Sequence, residues 1–227
     1  MILTKTYPGI LVFFLFLIGS VFTVGEEKLP NDVRWVRQSE EYKFLCRQAF
    51  REARSTLFKT ARVTKGSGNL AVVVDLDETV LDNSPYQVER WKSGLNFTQD
   101  SWSDWVNRKS AGLVPGAKMF LASVRKNGVR IIFLSNRMEI NLEPTKRNLQ
   151  ALGVLTPKDL FLLRRNKADT KEIRRKEVLN GVGRMKQVGP LQVIGYVGDQ
   201  MGDFPKDRSE QNEGCFLLPN PLYGKWR

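Results

Sequence analysis

Residues 70–74, LAVVV, run without a polar break into Asp75, Leu76, Asp77 and Glu78. A short apolar run with no alternation reads as a strand buried on both faces, the kind found in parallel sheets that helices cover on each side. Carboxylates at the end of such a strand repel one another, so the chain needs a reason to gather them there. No other segment narrows the fold as far.

Further apolar runs follow at VRIIFL (129–134), LFLL (160–163) and VIGYV (193–197), with a weaker one at FLL (216–218). Helical stretches over 116–126 and 142–152 lie between them, each followed closely by a glycine, Gly128 or Gly153, of the kind that stops helices. This alternation predicts a Rossmann-like, doubly wound α/β parallel sheet. Before the first strand, Tyr42, Leu45, Cys46, Ala49, Phe50, Ala53 and Leu57 recur at steps of three and four, so residues 39–58 are expected to form an amphipathic helix. Residues 83–112 break the rhythm with Tyr86, Trp91, Phe97, Trp102 and Trp105. They are expected to pack with that helix as a small cap. The expected division is thus cap elements at 31–62 and 83–112, with the core at 68–82 and 113–227.

The amino terminus is set apart. Lys5 precedes an uncharged stretch, 6–25, centred on GILVFFLFLIGSVF, with Glu26 and Glu27 just after. Residues 1–25 read as an export signal peptide, cleaved near Gly25, which predicts a secreted or periplasmic protein. An uncleaved membrane anchor is the alternative, since about 20 apolar residues can span a bilayer. The net charge of +12 favours an anionic partner without choosing among nucleic acid, membrane surface and small phosphorylated substrates. The two cysteines, Cys46 and Cys215, are too few for a disulfide scaffold, and either pair or serve as small buried hydrophobes. The absence of histidine excludes Ser-His and Cys-His nucleophile pairs, phosphohistidine chemistry and most zinc hydrolases. Chemistry here must run on carboxylates, hydroxyls and lysines.

Ligands of open α/β sheets bind at the carboxyl ends of the strands. Asp75 and Asp77 follow the first strand, Ser135, Asn136 and Arg137 the second, and Asp199 and Asp203 a later one. Asp75 and Asp77, two apart on extended chain, project to one side. A hard divalent cation, Mg²⁺, shared by Asp75, Asp77, Asp199 and Asp203 resolves their repulsion, because it takes oxygen ligands and keeps several waters. It would also let a carboxylate approach a phosphate dianion. The expected chemistry is an aspartyl-phosphate mechanism. Asp75 is the nucleophile and Asp77 the general acid and base, while Ser135, with Asn136 beside it, and Lys171 hold the phosphoryl oxygens. A lone Asp-x-Asp is common in calcium loops and turns; the ordered set carries the reading. The basic run from Arg164 to Lys176 is otherwise expected to be a solvated helix face.

These motifs resemble the haloacid dehalogenase-like superfamily, subfamily IIIB. DLDET (75–79), Ser135, a lysine of 164–176 and GDQMGD (198–203) match its four motifs in order. DETVLDNSPY (77–86), RWVRQSEEY (34–42), WSDWV (102–106), VPGA (114–117) and FLLPNPLYGKW (216–226) are similar to the bacterial class C, lipoprotein-type acid phosphatases and to plant acid phosphatase and vegetative storage proteins. The resemblance implies a phosphomonoesterase with Mg²⁺ held by Asp75, the Asp77 carbonyl and Asp199, with Asp203 nearby. The lipid-bearing cysteine of that group is missing here. Its third-motif lysine falls on Lys171 or, less simply, Lys167. Tyr86, Trp91, Trp102 and Trp105 are the candidates for a substrate pocket that would stack on a nucleotide base, with small-domain core as their competing role. The expected partner is a small phosphomonoester rather than a specific nucleic acid, and homodimerisation stays open. A phosphotransferase on the same fold and a non-catalytic basic binding or storage protein are the alternatives.

Overall fold

A computed structural model describes residues 28–64, 68–211 and 214–224. The expected signal peptide lies outside these residues. Among the described residues, no helix is long and apolar enough to cross a membrane.

In chain order the elements are α1 (Asn31–Gln38), α2 (Glu40–Val63), β1 (Leu70–Val74), β2 (Leu81–Asp82), α3 (Ser84–Lys92), α4 (Gln99–Arg108), β3 (Gly112–Leu113), α5 (Ala117–Lys126), β4 (Arg130–Met138), α6 (Leu142–Ala151), β5 (Leu160–Arg164), α7 (Lys171–Asn180), β6 (Gln192–Gly198), α8 (Lys206–Gln211) and β7 (Cys215–Leu217). Five strands form a parallel sheet in the order β5-β4-β1-β6-β7. The chain winds outward from β1 in both directions, so β1 is central and its carboxyl end opens at the switch point where ligands bind in such sheets. This is the expected α/β fold.

Side chains of β1 alternate between two apolar layers. Val72 and Val74 face Leu57 of α2 and Phe120 and Leu121 of α5, together with Ile131, Phe133 and Ile194 of the flanking strands. Ala71 and Val73 join Ile132, Leu134, Leu162 and Tyr196 beneath Val178 of α7. Every residue of β1 is therefore buried, as the uninterrupted run LAVVV requires.

One expected element lies elsewhere. α2 packs along α5, β6 and β7, on the face of the sheet, instead of joining the cap. Cys46, Phe50, Ala53 and Leu57 make one buried stripe, and Gly195 of β6 lets it sit close, because a Cβ there would meet Leu57 Cδ2 at 2.7 Å. Leu45, expected in the stripe, is exposed. The amino-terminal element that reaches the cap is α1, which packs on α3. α3 and α4 sit between β2 and β3, which pair antiparallel through Leu81 and Leu113. Tyr86, Trp102 and Trp105 nevertheless belong to the same buried cluster as Val72 and Val74, so cap and sheet share one apolar interior. No disulfide joins Cys46 and Cys215; burial in α2 pushes the Cys46 thiol up to about 12.

Candidate active site

The carboxyl end of β1 turns sharply into the site. Asp75 still donates its N–H to the Val197 carbonyl (2.9 Å), and the chain then folds back as Val80 and Leu81 both donate to the Leu76 carbonyl, at 2.9 and 2.8 Å. Glu78 takes φ 54°, a left-handed conformation that a non-glycine residue adopts at a cost. Leu76 is fully buried, leaving Asp75 and Asp77 at the rim.

Carboxylate oxygens of Asp75, Asp199 and Asp203 lie within 4.8 Å of one another, and all three residues are buried. Burial pushes the Asp75 carboxyl well up, and Asp203, Asp199 and Asp77 push it further, against the pull of Lys171. Burial, then Asp203 and Glu78, raises Asp199 to about 7. Three buried carboxylate oxygens facing one another are the donor set a hard divalent cation fits, since its charge offsets their mutual repulsion. Lys171 offsets part of this repulsion. Its ammonium donates to Asp75 Oδ1 at 2.5 Å and to Asp203 Oδ1. Burial alone would lower its pKa, but Asp75 and Asp203 outweigh that and hold it above the usual lysine range. Lys171 opens α7, whose Thr170 caps the helix by accepting from the Ile173 N–H. Lys167 is exposed and its side chain is not in the cluster. Asp203 Oδ2 accepts from the Asp199 and Gln200 N–H groups at 3.1 and 3.0 Å, so one side chain both shapes the turn and faces the cluster.

The Asp77 carboxylate points into a different network and is not part of that cluster. Fully buried Arg137 donates through Nε to Asp77 Oδ1 at 2.9 Å and pairs through Nη2 at 2.8 Å, while Asn83 Nδ2 donates to the same oxygen at 3.0 Å. Ser135 Oγ donates to Asp77 Oδ2 at 3.4 Å and accepts from the Arg137 N–H. β4 therefore continues past Leu134 to Met138, with its pairing to β5 interrupted between Ser135 and Met138. That irregularity leaves Asn136 exposed at the rim.

Several supporting residues were not among the expected site residues. Arg174 and Arg175, in the run expected to be a solvated face, are buried. Arg174 donates to the Ser135 and Leu162 carbonyls and to Asn136 Oδ1, so it braces the ends of β4 and β5; burial pushes it down to about 10. The solvated-face reading failed because these guanidinium groups find backbone acceptors inside the fold. Asn220 donates to Asp199 Oδ2 at 2.7 Å, and Tyr223 donates its hydroxyl to Glu78 Oε2. Both come from the PNPLY segment after β7, which the sequence marked only through the FLLPNPLYGKW resemblance and with no role for either residue.

A cavity of about 360 Å³ opens beside Asp77, Asn136 and Arg137, and its wall includes Tyr86, Phe97, Trp102 and Tyr223. Two of the four expected aromatic residues, Tyr86 and Trp102, thus line it. Trp91 and Trp105 do not. Trp91 is half-buried away from that wall. Trp105 is buried and donates Nε1–H to Asn83 Oδ1 at 2.8 Å, supporting the residue that in turn holds Asp77.

Known proteins bear on this arrangement. The chain is 28% identical over 156 residues to the stem 31 kDa glycoprotein of Glycine max, a match covering 66% of this chain and 58% of that protein. It is 28% identical over 152 residues to acid phosphatase 1 of Solanum lycopersicum, covering 66% and 57%. The match therefore spans less than two thirds of these plant relatives. The structure of a class C acid phosphatase from Bacillus anthracis, solved with tungstate bound, superposes with TM-score 0.71 at 32% identity over 86% of this chain and 84% of that one. A sequence model of the HAD superfamily, subfamily IIIB (acid phosphatase), matches residues 21–226, and the chain belongs to that family.

Proposed function

We propose that the protein is an exported acid phosphatase that hydrolyses phosphomonoesters through a phosphorylated Asp75. The observation that carries this reading is the convergence of Asp75, Asp199 and Asp203 on one point, with Lys171 2.5 Å from Asp75. Asp75, Asp199 and Asp203, with the Asp77 carbonyl, would hold Mg²⁺, whose charge offsets that of the nucleophile and the phosphoryl group. An Asp75 oxygen attacks phosphorus and the bond to the leaving oxygen breaks. Asp77 gives that oxygen its proton, so an alcohol departs. Water then attacks the phosphorus of the aspartyl phosphate, Asp77 takes its proton, and Asp75 is released with inorganic phosphate.

Arg137, Asn83 and Ser135 hold the Asp77 carboxylate at the mouth of the cavity, where a leaving group would sit. Ser135, Asn136 and Lys171 would receive the phosphoryl oxygens, a reading supported by Arg174, which donates to Asn136 Oδ1. Tungstate, a tetrahedral oxyanion like phosphate, occupies the related Bacillus anthracis enzyme and is consistent with this assignment. The aromatic wall of Tyr86, Phe97 and Trp102 suits a flat ring, so nucleoside monophosphates are the proposed substrates.

The deciding experiment measures p-nitrophenol release from p-nitrophenyl phosphate by residues 26–227 at mildly acid pH, with Mg²⁺ and with EDTA. Activity that needs Mg²⁺ and falls by about 10⁴-fold or more in Asp75→Asn, with an unchanged circular dichroism spectrum, is the expected result. Retained turnover in Asp75→Asn removes the mechanism. Adenosine 5′-monophosphate should be hydrolysed more efficiently than glycerol 3-phosphate; equal efficiency removes the nucleotide assignment.

A further inference from the structure

The wall of the cavity beside Asp77 carries more positive charge than a phosphomonoester with a neutral leaving group can use. Three guanidinium groups line it, Arg90, Arg137 and Arg164, against a single carboxylate, Asp77. Arg137 is spent on Asp77. Neither Arg90 nor Arg164 has an ion-pair partner among the described residues.

The contacts these two do make are with neutral groups. Arg164 donates through Nε to the Asn166 carbonyl at 3.0 Å and through Nη2 to the Lys167 carbonyl at 2.9 Å. These bonds fix the side chain at the end of β5 and leave its charge uncompensated. Arg90 lies with Cζ 5.7 Å from the Tyr86 ring centre and 5.9 Å from that of Phe97, and donates through Nη1 to Gln87 Oε1 at 3.0 Å. Its Nε is buried without a hydrogen-bond partner. Ring faces orient a guanidinium and partly offset its charge, but they do not replace an anion.

A neutral leaving group entering this cavity could offer both guanidinium groups only neutral acceptors for the water it displaces, whereas an anionic one would form charge-assisted pairs with them as water leaves. We infer that Arg90 and Arg164 favour, among ring-bearing phosphomonoesters such as nucleotides, those whose leaving group carries a second anionic group, such as a carboxylate or another phosphate, over those with a neutral leaving group. The inference rests on the phosphatase reading for its reaction, but the recognition itself is a binding property. A site that reads such a group discriminates against the analogue lacking it, because its charged partners are then less well paired.

Phenyl phosphate and its 3-carboxy and 4-carboxy derivatives differ by one negative charge while keeping the ring. Two measurements separate the recognition from the chemistry: kcat/KM of the wild type for the three esters, and calorimetric binding of the same esters to Asp75→Asn. At least one carboxylated ester should be favoured by about tenfold in both. Arg90→Gln and Arg164→Gln should each shrink that preference to about threefold or less, and Arg90→Lys should restore part of it. The ratio between esters is the readout, so a general loss of activity in a poorly folded variant does not imitate the effect. Equal kcat/KM and equal binding for all three esters would overturn the inference and leave the phosphatase reading standing. A binding preference without turnover in the wild type would support it while removing the phosphatase reading.

Discussion

Gly198 shows how closely single residues constrain this site. A Cβ at that position would meet Asp203 Oδ2 at 2.3 Å and Asp203 Cβ at 2.4 Å, at the side chain that accepts from the Asp199 and Gln200 N–H groups and faces Lys171. Gly198→Ala must therefore displace Asp203, and with it the turn that aims Asp199. On the proposed Mg²⁺ centre, the expected outcome is a rise of about tenfold or more in the Mg²⁺ concentration needed for half-maximal turnover, with less effect on thermal stability than on Mg²⁺ response. Titrating turnover and melting temperature with Mg²⁺ checks this; a variant with wild-type Mg²⁺ dependence would show that Asp203 has no part in the centre.

At the scale of elements, α7 combines two duties. Its first residue, Lys171, enters the carboxylate cluster, while Arg174 reaches under the strand ends and Glu177 anchors the helix to Arg184. Arg184 also clamps Asp169, at 2.9 and 3.0 Å, in the loop that leads into α7. Hydrogen bonds from Arg184 hold the Glu177 carboxyl below its usual range; for Asp169 burial, the largest single influence, pushes upward, but the Arg184 hydrogen bonds, the Arg165 N–H and the charges of Arg184 and Arg174 together outweigh it and lower that carboxyl too. Carboxyls lowered in the folded state stabilise it above their ordinary values, 4.5 for Glu177 and 3.8 for Asp169. That contribution is lost as pH falls through the lowered values. Arg184→Met should thus lower the melting temperature by the same amount at pH 5 and pH 7, and the gap to wild type should narrow only below about pH 4. Melting curves at pH 3, 5 and 7 test this, and a gap already closing at pH 5 would contradict it. An acid-working enzyme would keep this clamp intact over its working range.

Over the whole molecule, cap and sheet unfold together if they share one interior. Tyr86, Trp102 and Trp105 pack in the same cluster as Val72, Val74 and Phe133, and the Trp105–Asn83–Asp77 chain of hydrogen bonds crosses between them. Four of the five tryptophans, Trp35, Trp91, Trp102 and Trp105, lie in α1, α3 and α4, and the fifth, Trp226, lies outside the described residues, so fluorescence is weighted toward the cap region while far-UV circular dichroism reports on every helix and strand. Urea unfolding followed by the two signals should give coincident midpoints. Thr98→Ala removes the cap of α4, where Thr98 Oγ1 accepts from the Ser101 N–H at 3.1 Å. It should lower stability by about 1 kcal/mol and move both midpoints down together. Separate midpoints would mean that the cap is an independent unit.

The amino-acid sequence by itself determined the parallel sheet, because apolar runs such as LAVVV and VRIIFL have no stable place except between two covered faces. It also marked Asp75, Asp77, Ser135, Asp199 and Asp203, since polar residues after such runs fall at one rim of the sheet. For the lysine it offered both Lys171 and Lys167, and only the fold brings Lys171 to Asp75. Only the tertiary structure decided what depends on residues distant in the chain. α2 lies on the sheet because Gly195, 138 positions beyond Leu57, makes room for it. Arg174 is buried because the Ser135 and Leu162 carbonyls receive its protons. Asn220 and Tyr223 reach Asp199 and Glu78 only when β7 takes its place beside β6. Local pattern governs which face of an element is apolar, whereas partners for buried charge are set by how the elements meet.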